Sequence, residues 1–144
     1  MSVQEIETDV EMHRLKPQQL EAVWPMVRPL MEEVAESYRG KQTVETLTSE
    51  ILRGEVELWV VVEGNEILAI IGTQLCEEPS GMKTLFIKYA DGRQMHKWLG
   101  MIDEFEAYAR ANGCEYVEMI ARKGWTKRLK DYKMTHVLLE KRLD

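Results

Sequence analysis

The sequence predicts an α+β fold: a mixed, mostly antiparallel sheet with helices on both faces and one βαβ crossover. Three observations carry that prediction. Three short β-branched runs follow one another through residues 58–89, separated by Gly64-Asn65 and by Pro79-Ser80-Gly81, which is the pattern of an antiparallel meander. A stretch with helical apolar spacing then spans residues 93–112 and ends at Gly113. A further β-type run, residues 115–121, comes straight after it, and a helix between two such strands implies a parallel, right-handed crossover.

Taken in order, residues 9–15 form a first strand with Val10 and Met12 on one side. Pro17 suits an early helical position. Leu20, Val23, Trp24, Val27, Leu30, Met31 and Val34 recur at helical spacing. Pro25 and Pro29 each remove a backbone donor, so the expectation is a short helix, a bend, and a second helix over residues 29–37. Residues 37–42 are polar, contain Gly40, and read as a loop over a cleft. Thr43 is the N-cap of a helix carrying Val44, Leu47 and Ile51, and Gly54 stops it. The meander strands are residues 58–62, 67–75 and 84–89, and Asp91-Gly92 makes a tight turn into the long helix. Its apolar face is Met95, Trp98, Leu99, Ile102, Phe105 and Ala109. Residues 124–132 form a short basic helix or turn, and residues 136–143, with Val137, Leu138 and Leu139, close the sheet and offer an edge for pairing.

A chain of 144 residues is one domain by length. No apolar run reaches the ~18–20 residues of a membrane span, and the acidic Met1–Met12 stretch lacks a signal-peptide pattern; the expectation is a soluble, cytoplasmic protein with no membrane partner. Cys76 and Cys114 stand alone without CxxC or His spacing, so neither a disulfide framework nor a metal site organises the chain. Net charge is −6, but residues 1–82 carry 6 Lys/Arg against 16 Asp/Glu, whereas residues 83–144 carry 13 against 9. The basic half holds the strand–helix mouth. A helix N-terminus there, with unpaired N–H groups and a favourable dipole, suits a small anionic ligand; a nucleic-acid surface would need a stronger basic excess and a motif.

This order of elements resembles the GNAT superfamily of N-acetyltransferases over nearly the whole chain. The helix end Glu106-Ala-Tyr-Ala-Arg-Ala-Asn-Gly113-Cys114 is similar to the family's helix end, and Leu138-Leu139-Glu140-Lys141-Arg142-Leu143 to its last strand. The length and the Arg122-Lys123-Gly124-Trp125 segment look like short phage-encoded GNAT-like proteins. The resemblance implies acetyl-CoA as cofactor and a small-molecule or protein amine as acceptor. It places the cofactor against backbone around Ile87 and Tyr89, and against the helix start at Arg93, Gln94, His96, Lys97 and Trp98, with Arg122 and Trp125 beside it. Arg93 falls on the first position of the family's pyrophosphate signature. The two small positions fall on His96 and Trp98, where glycine would let backbone approach phosphate. The family's acidic Tyr aligns with Leu129; Tyr132 is nearby and is the candidate acid toward the leaving thiolate. Glu78, with Glu77 and Glu118, is a candidate base. The residues leave two readings open: an N-acyltransferase working by direct amine attack, and a binding or structural protein on the same scaffold with its chemistry lost.

Overall fold

The computed structural model describes residues 9–143, apart from the Lys123 side chain. Residues 1–8, most of the acidic stretch read above, and Asp144 lie outside the described residues.

Continuous apolar runs in the middle of the chain, buried on both faces, make the centre of the sheet. Strands β1 (Val10–Leu15), β2 (Glu57–Glu63), β3 (Glu66–Glu77) and β4 (Lys83–Gly92) are successive antiparallel neighbours, and β5 (Tyr116–Met119) pairs parallel with β4. The sheet order is β1-β2-β3-β4-β5. Among the described residues β1 and β5 are therefore its edges. Helices α1 (Leu20–Ser37) and α2 (Val44–Leu52) cover one face, burying Val27, Met31, Val34, Leu47 and Ile51 against Leu58, Val60 and Ile70. Helix α3 (Ile102–Ala111) covers the other, burying Phe105 and Ala109 against Trp59, Val61, Ile71, Leu85 and Ile87. This is the mixed sheet, covered on both faces, with one crossover (β4–α3–β5), that the sequence predicts.

Four local expectations need correction. Helix α1 is continuous through Pro25 and Pro29. Both prolines are exposed and stand one turn apart, so the backbone partners they forfeit face water, while the stripe Leu20, Val27, Met31 and Val34 stays buried on the opposite side. Asp91-Gly92 is not a turn but the end of β4, paired with Ile70 and Ala69. A side chain at Gly92 would meet Ala69 Cβ and Leu68 O at 2.4 Å, so the glycine permits close strand approach.

The long helix does not begin at Arg93. Two 3-10 turns, Met95–Lys97 and Leu99–Met101, precede α3. Gln94 sits in the left-handed region (φ 54°) and Trp98 at φ −126°, and neither conformation continues a helix. Finally, residues 136–143 form no strand; Val137, Leu138, Leu139 and Leu143 are exposed. Elsewhere local chemistry behaves as read: Thr43 Oγ1 accepts from Thr46 N at 3.1 Å, and Gly113 ends α3 at φ 76°.

Candidate functional site

The site begins with a bulge. Thr73 pairs with Ile87 and Gly72 with Tyr89, so Lys88 is an extra residue in β4. The ladder from β4 to β5 runs from Thr84–Tyr116 to Ile87–Met119 and stops there. Strand β4 continues on β3 alone to Gly92. Residues 88–92 thus present one backbone edge with no strand alongside it among the described residues.

Three contacts hold the bulge. The Tyr38 hydroxyl, just beyond α1, donates to Lys88 O at 3.0 Å. The Lys88 ammonium pairs with Glu50 of α2, both side chains being more than four-fifths buried. The Tyr89 ring packs over Gly72, where any Cβ would stand 2.3 Å from it. The Tyr89 hydroxyl is buried without a hydrogen-bond partner, and burial, with Glu50 and Tyr38 nearby, raises its pKa. None of Tyr38, Glu50 and Lys88 emerges from motif reading. The local signal available was a polar Tyr at a helix end and a lone Lys in an apolar strand.

The bulge also reverses the faces of β4. Leu85 and Ile87 point to α3, whereas Tyr89 packs with α1 and α2. Asp91, two residues on, shares that face. Its Oδ2 is buried with no donor facing it. Burial first, and then the Glu33 carboxyl of α1 beside it, push its pKa up to about 7, with Arg122 pulling the other way. Two carboxylates cannot donate to each other, so a proton on Asp91 relieves the repulsion between them.

Beyond Gly92 the chain lines a basic bowl of about 610 Å³ bounded by Met95, Arg122, Gly124, Trp125, Lys127 and Arg128. Arg122, Lys127 and Arg128 make no salt bridge among the described residues. The Trp125 ring stands 6.4 Å from that of Trp98. Another hollow, about 360 Å³ between α1 and α2, includes Trp24, Arg28 and Leu52 but no residue of β4 or of the segment after it.

The residues singled out in the sequence divide accordingly. Ile87 is the last β4 residue paired with β5, and Tyr89 follows the bulge. Arg122 and Trp125 line the bowl. Arg93 donates to Glu66 at 3.1 Å, and Lys97 to Glu63 at 2.8 Å, so both are engaged by the β2–β3 hairpin. Gln94 and His96 are exposed in the turn. Trp98 is buried in the α3-side core, and its Nε1 donates to Arg93 O at 3.0 Å, which folds the segment back on itself. The helix N-terminus expected at the mouth lies instead at Ile102, with Asp103 and Glu104 in its first turn; these acids complement the dipole but leave no dipole-driven anion site at Arg93.

Tyr132 donates to Glu106 of α3 at 2.8 Å, and burial together with that carboxylate raises its pKa. Glu78 lies in the β3–β4 turn, where its N–H donates to Met82 O at 2.7 Å. That is the opposite end of β4 from the open edge, so the structure does not bring Glu78 to the mouth. Burial raises the pKa of both thiols, Cys76 and Cys114, so neither is an activated nucleophile. Among the described residues no helix is long and apolar enough to cross a membrane.

No protein-family profile matches the chain, and no curated protein does. Solved structures do. An aminoglycoside acetyltransferase from an uncultured soil metagenomic sample, solved with trehalose, superposes with TM-score 0.68 at 18% identity, over 97% of this chain and 100% of that one. A ribosomal-protein-alanine N-acetyltransferase from Brucella melitensis gives 0.69 at 10% identity, over 94% and 98%. A possible acetyltransferase from Clostridium difficile gives 0.60 at 12%, over 94% and 98%. The chain has the GNAT fold. At such identities the likeness fixes the architecture and nothing finer. Within a GNAT fold, the place where β4 leaves β5 is the feature of this chain with backbone groups, cations and an aromatic ring gathered at one opening.

Proposed function

We propose that the protein is an acetyl-CoA-dependent N-acyltransferase acting on a small-molecule or protein amine in the cytoplasm, that of a bacterial host if the chain is phage-encoded. A phage origin rests on the sequence resemblance alone. The observation that carries the activity is the open edge of β4, residues 88–92, together with a bowl that begins at Met95, three residues further on, and whose Arg122, Lys127 and Arg128 make no salt bridge among the described residues. Five strand residues span about 16 Å. That length suits an extended amide-containing arm pairing as a strand would, with its phosphates reaching the bowl. The residues therefore fit the cofactor.

Acetyl-CoA, when bound, supplies an acyl thioester whose carbonyl carbon an amine nitrogen attacks, the thiol leaving with the proton the amine gives up. The chain's own part is positioning and polarisation. The backbone N–H groups of residues 88–92 on the β5 side are the donors available to a carbonyl oxygen. Tyr38 and Glu50 fix the bulge that exposes them. Arg122, Lys127 and Arg128 supply cations for phosphate, and Trp125 a flat apolar wall. A carboxylate at Asp91, poised near neutrality beside Glu33, is the titratable group closest in sequence to the open edge that can take a proton at pH 7.

A thermal-shift titration with acetyl-CoA tests this reading. Ligand at 100 times its Kd stabilises the fold by about 2.7 kcal/mol, so the melting temperature should climb with concentration. A flat response up to millimolar ligand would contradict the proposal. Release of free CoA thiol on adding a panel of primary amines then identifies the acceptor class.

A further inference from the structure

The connection between α1 and α2 is held from two directions. At its start the Tyr38 hydroxyl donates to Lys88 O at 3.0 Å, giving a partner to a residue that has no counterpart on β3. Burial, with Glu50 nearby, raises the Tyr38 pKa, so the hydroxyl keeps the proton it donates. Arg39 and Gly40 follow in the left-handed region, at φ 51° and 92°. Glycine takes that conformation freely and arginine does not, so this turn needs a hold from outside. Glu140 supplies it. One of its carboxylate oxygens pairs with the Arg39 guanidinium and the other with the Lys41 ammonium, on either side of Gly40. Lys41 first, and Arg39 with it, hold the Glu140 carboxyl below the usual carboxylate range.

These contacts make a series. Glu140 grips Arg39 and Lys41, Tyr38 adjoins them in the chain, and Tyr38 reaches the bulge at which the open edge of β4 begins. We propose that Glu140 is a positioning residue for the acyl-donor site: by clasping the turn after α1 it fixes Tyr38, and through Tyr38 the backbone of residues 88–92. Roughly half an ångström of slack in the turn takes the Tyr38 contact out of hydrogen-bonding range. Release of the clasp reaches the edge without disturbing the core, because α1 and α2 stay packed by Val27, Met31, Val34, Leu47 and Ile51. The pairs are exposed and therefore weak, so the clasp tunes the edge and does not decide whether the chain folds. The ligand in this inference rests on the acyl-transfer reading; the mechanical link from Glu140 to the edge does not.

Amide hydrogen exchange of the free protein reads that link directly. Glu140→Gln should speed exchange in residues 88–92 roughly threefold to tenfold, the scale of two exposed ion pairs, and leave residues 84–87 unchanged. Lys141→Gln, which alters the neighbouring exposed charge, should change neither. Reversing the clasp, with Arg39→Glu and Lys41→Glu added to Glu140→Lys, should restore the wild-type rates to within about twofold, which a loss of bulk stability would not do. In calorimetry Glu140→Gln should weaken acetyl-CoA binding about threefold to tenfold, and the reversed clasp should recover it. Unchanged exchange in residues 88–92 of Glu140→Gln, equal acceleration of both halves of β4, or no recovery on reversal would each overturn the proposal. A wild type that binds no acetyl-CoA would contradict the acyl-transfer reading instead, and exchange in the free protein would still decide the role of Glu140.

Discussion

The two halves of β4 differ in their neighbours and in the face they turn to the helices. Residues 84–87 are flanked on both sides, by β3 and β5, and bury Leu85 and Ile87 under α3. Residues 88–92 lean on β3 alone, turn Tyr89 to α1 and α2, are held by the polar groups of Tyr38 and Glu50, and leave one Asp91 oxygen orphaned. The first half is ordinary core. The second spends stability to leave backbone groups open, which is where strained or under-satisfied structure is worth reading as a site. One inserted residue, Lys88, makes the difference.

The largest effects should separate the halves by what they damage. Leu85→Ala removes a fully buried side chain and should cost ~2–5 kcal/mol in urea unfolding. Glu50→Ala strands the Lys88 ammonium where little water reaches it and should cost about 3–5 kcal/mol. Their consequences for acetyl-CoA should diverge: calorimetric affinity measured on the folded protein should hold for Leu85→Ala and fall for Glu50→Ala. Equal losses from both would erase the distinction.

Smaller is Gly92→Ala, which forces a methyl group against the backbone at Leu68 and Ala69 and should destabilise by ~1–3 kcal/mol. An unchanged melting temperature would mean that β4 and β3 are not so closely joined at this end. Next come the cations. Arg122→Ala should weaken acetyl-CoA binding roughly tenfold, ~1.4 kcal/mol, whereas Arg93→Ala should change it by less than about twofold, because Arg93 is already engaged by Glu66. The reverse ranking would move the phosphate site from the bowl to the turn.

The last effect is a pH slope confined to the open half. Asp91 has a folded pKa raised to about 7 from a carboxylate's usual value, by burial and by Glu33. In the window between those values the folded state binds more protons than the unfolded chain, so this group's contribution is full in acid and is lost as pH rises through about 7. The urea midpoint should therefore decline between pH 5 and pH 8 for the wild type, and Asp91→Asn should flatten that decline. A midpoint that rises over this interval, unaffected by the substitution, would refute the raised Asp91 pKa.

Much of the scaffold was legible because it is written in periodicity. The hairpin at Gly64-Asn65, the cap at Thr43 and the stop at Gly113 are local devices, and each stands where its chemistry puts it. The failures come from partners, near or far along the chain, that apolar spacing does not encode. Pro25 and Pro29 predict a bend, yet the buried stripe on the other side of α1 carries the helix through them. The apolar spacing of Met95, Trp98 and Leu99 predicts helix, but the Trp98 indole folds back onto Arg93 and tightens the chain into 3-10 turns. Arg93 and Lys97 look free in sequence and are not, since β4 carries them to the hairpin acids Glu63 and Glu66. The bowl at Arg122 and Trp125 was visible as a basic turn, but Lys127 and Arg128 joined it only once the 3-10 turn of Lys123–Lys127 was placed. A bulge, being one unpaired residue in a partner-dependent ladder, has no sequence signature at all.

Amide hydrogen exchange of residues 83–92, with and without saturating acetyl-CoA, examines the two halves in one experiment. The amides of residues 88–92 that are not bonded to β3 should slow on adding the ligand, while those of residues 84–87 should keep their rates. Exchange in residues 88–92 that is unchanged by the ligand would contradict the assignment of the open edge as the cofactor's seat.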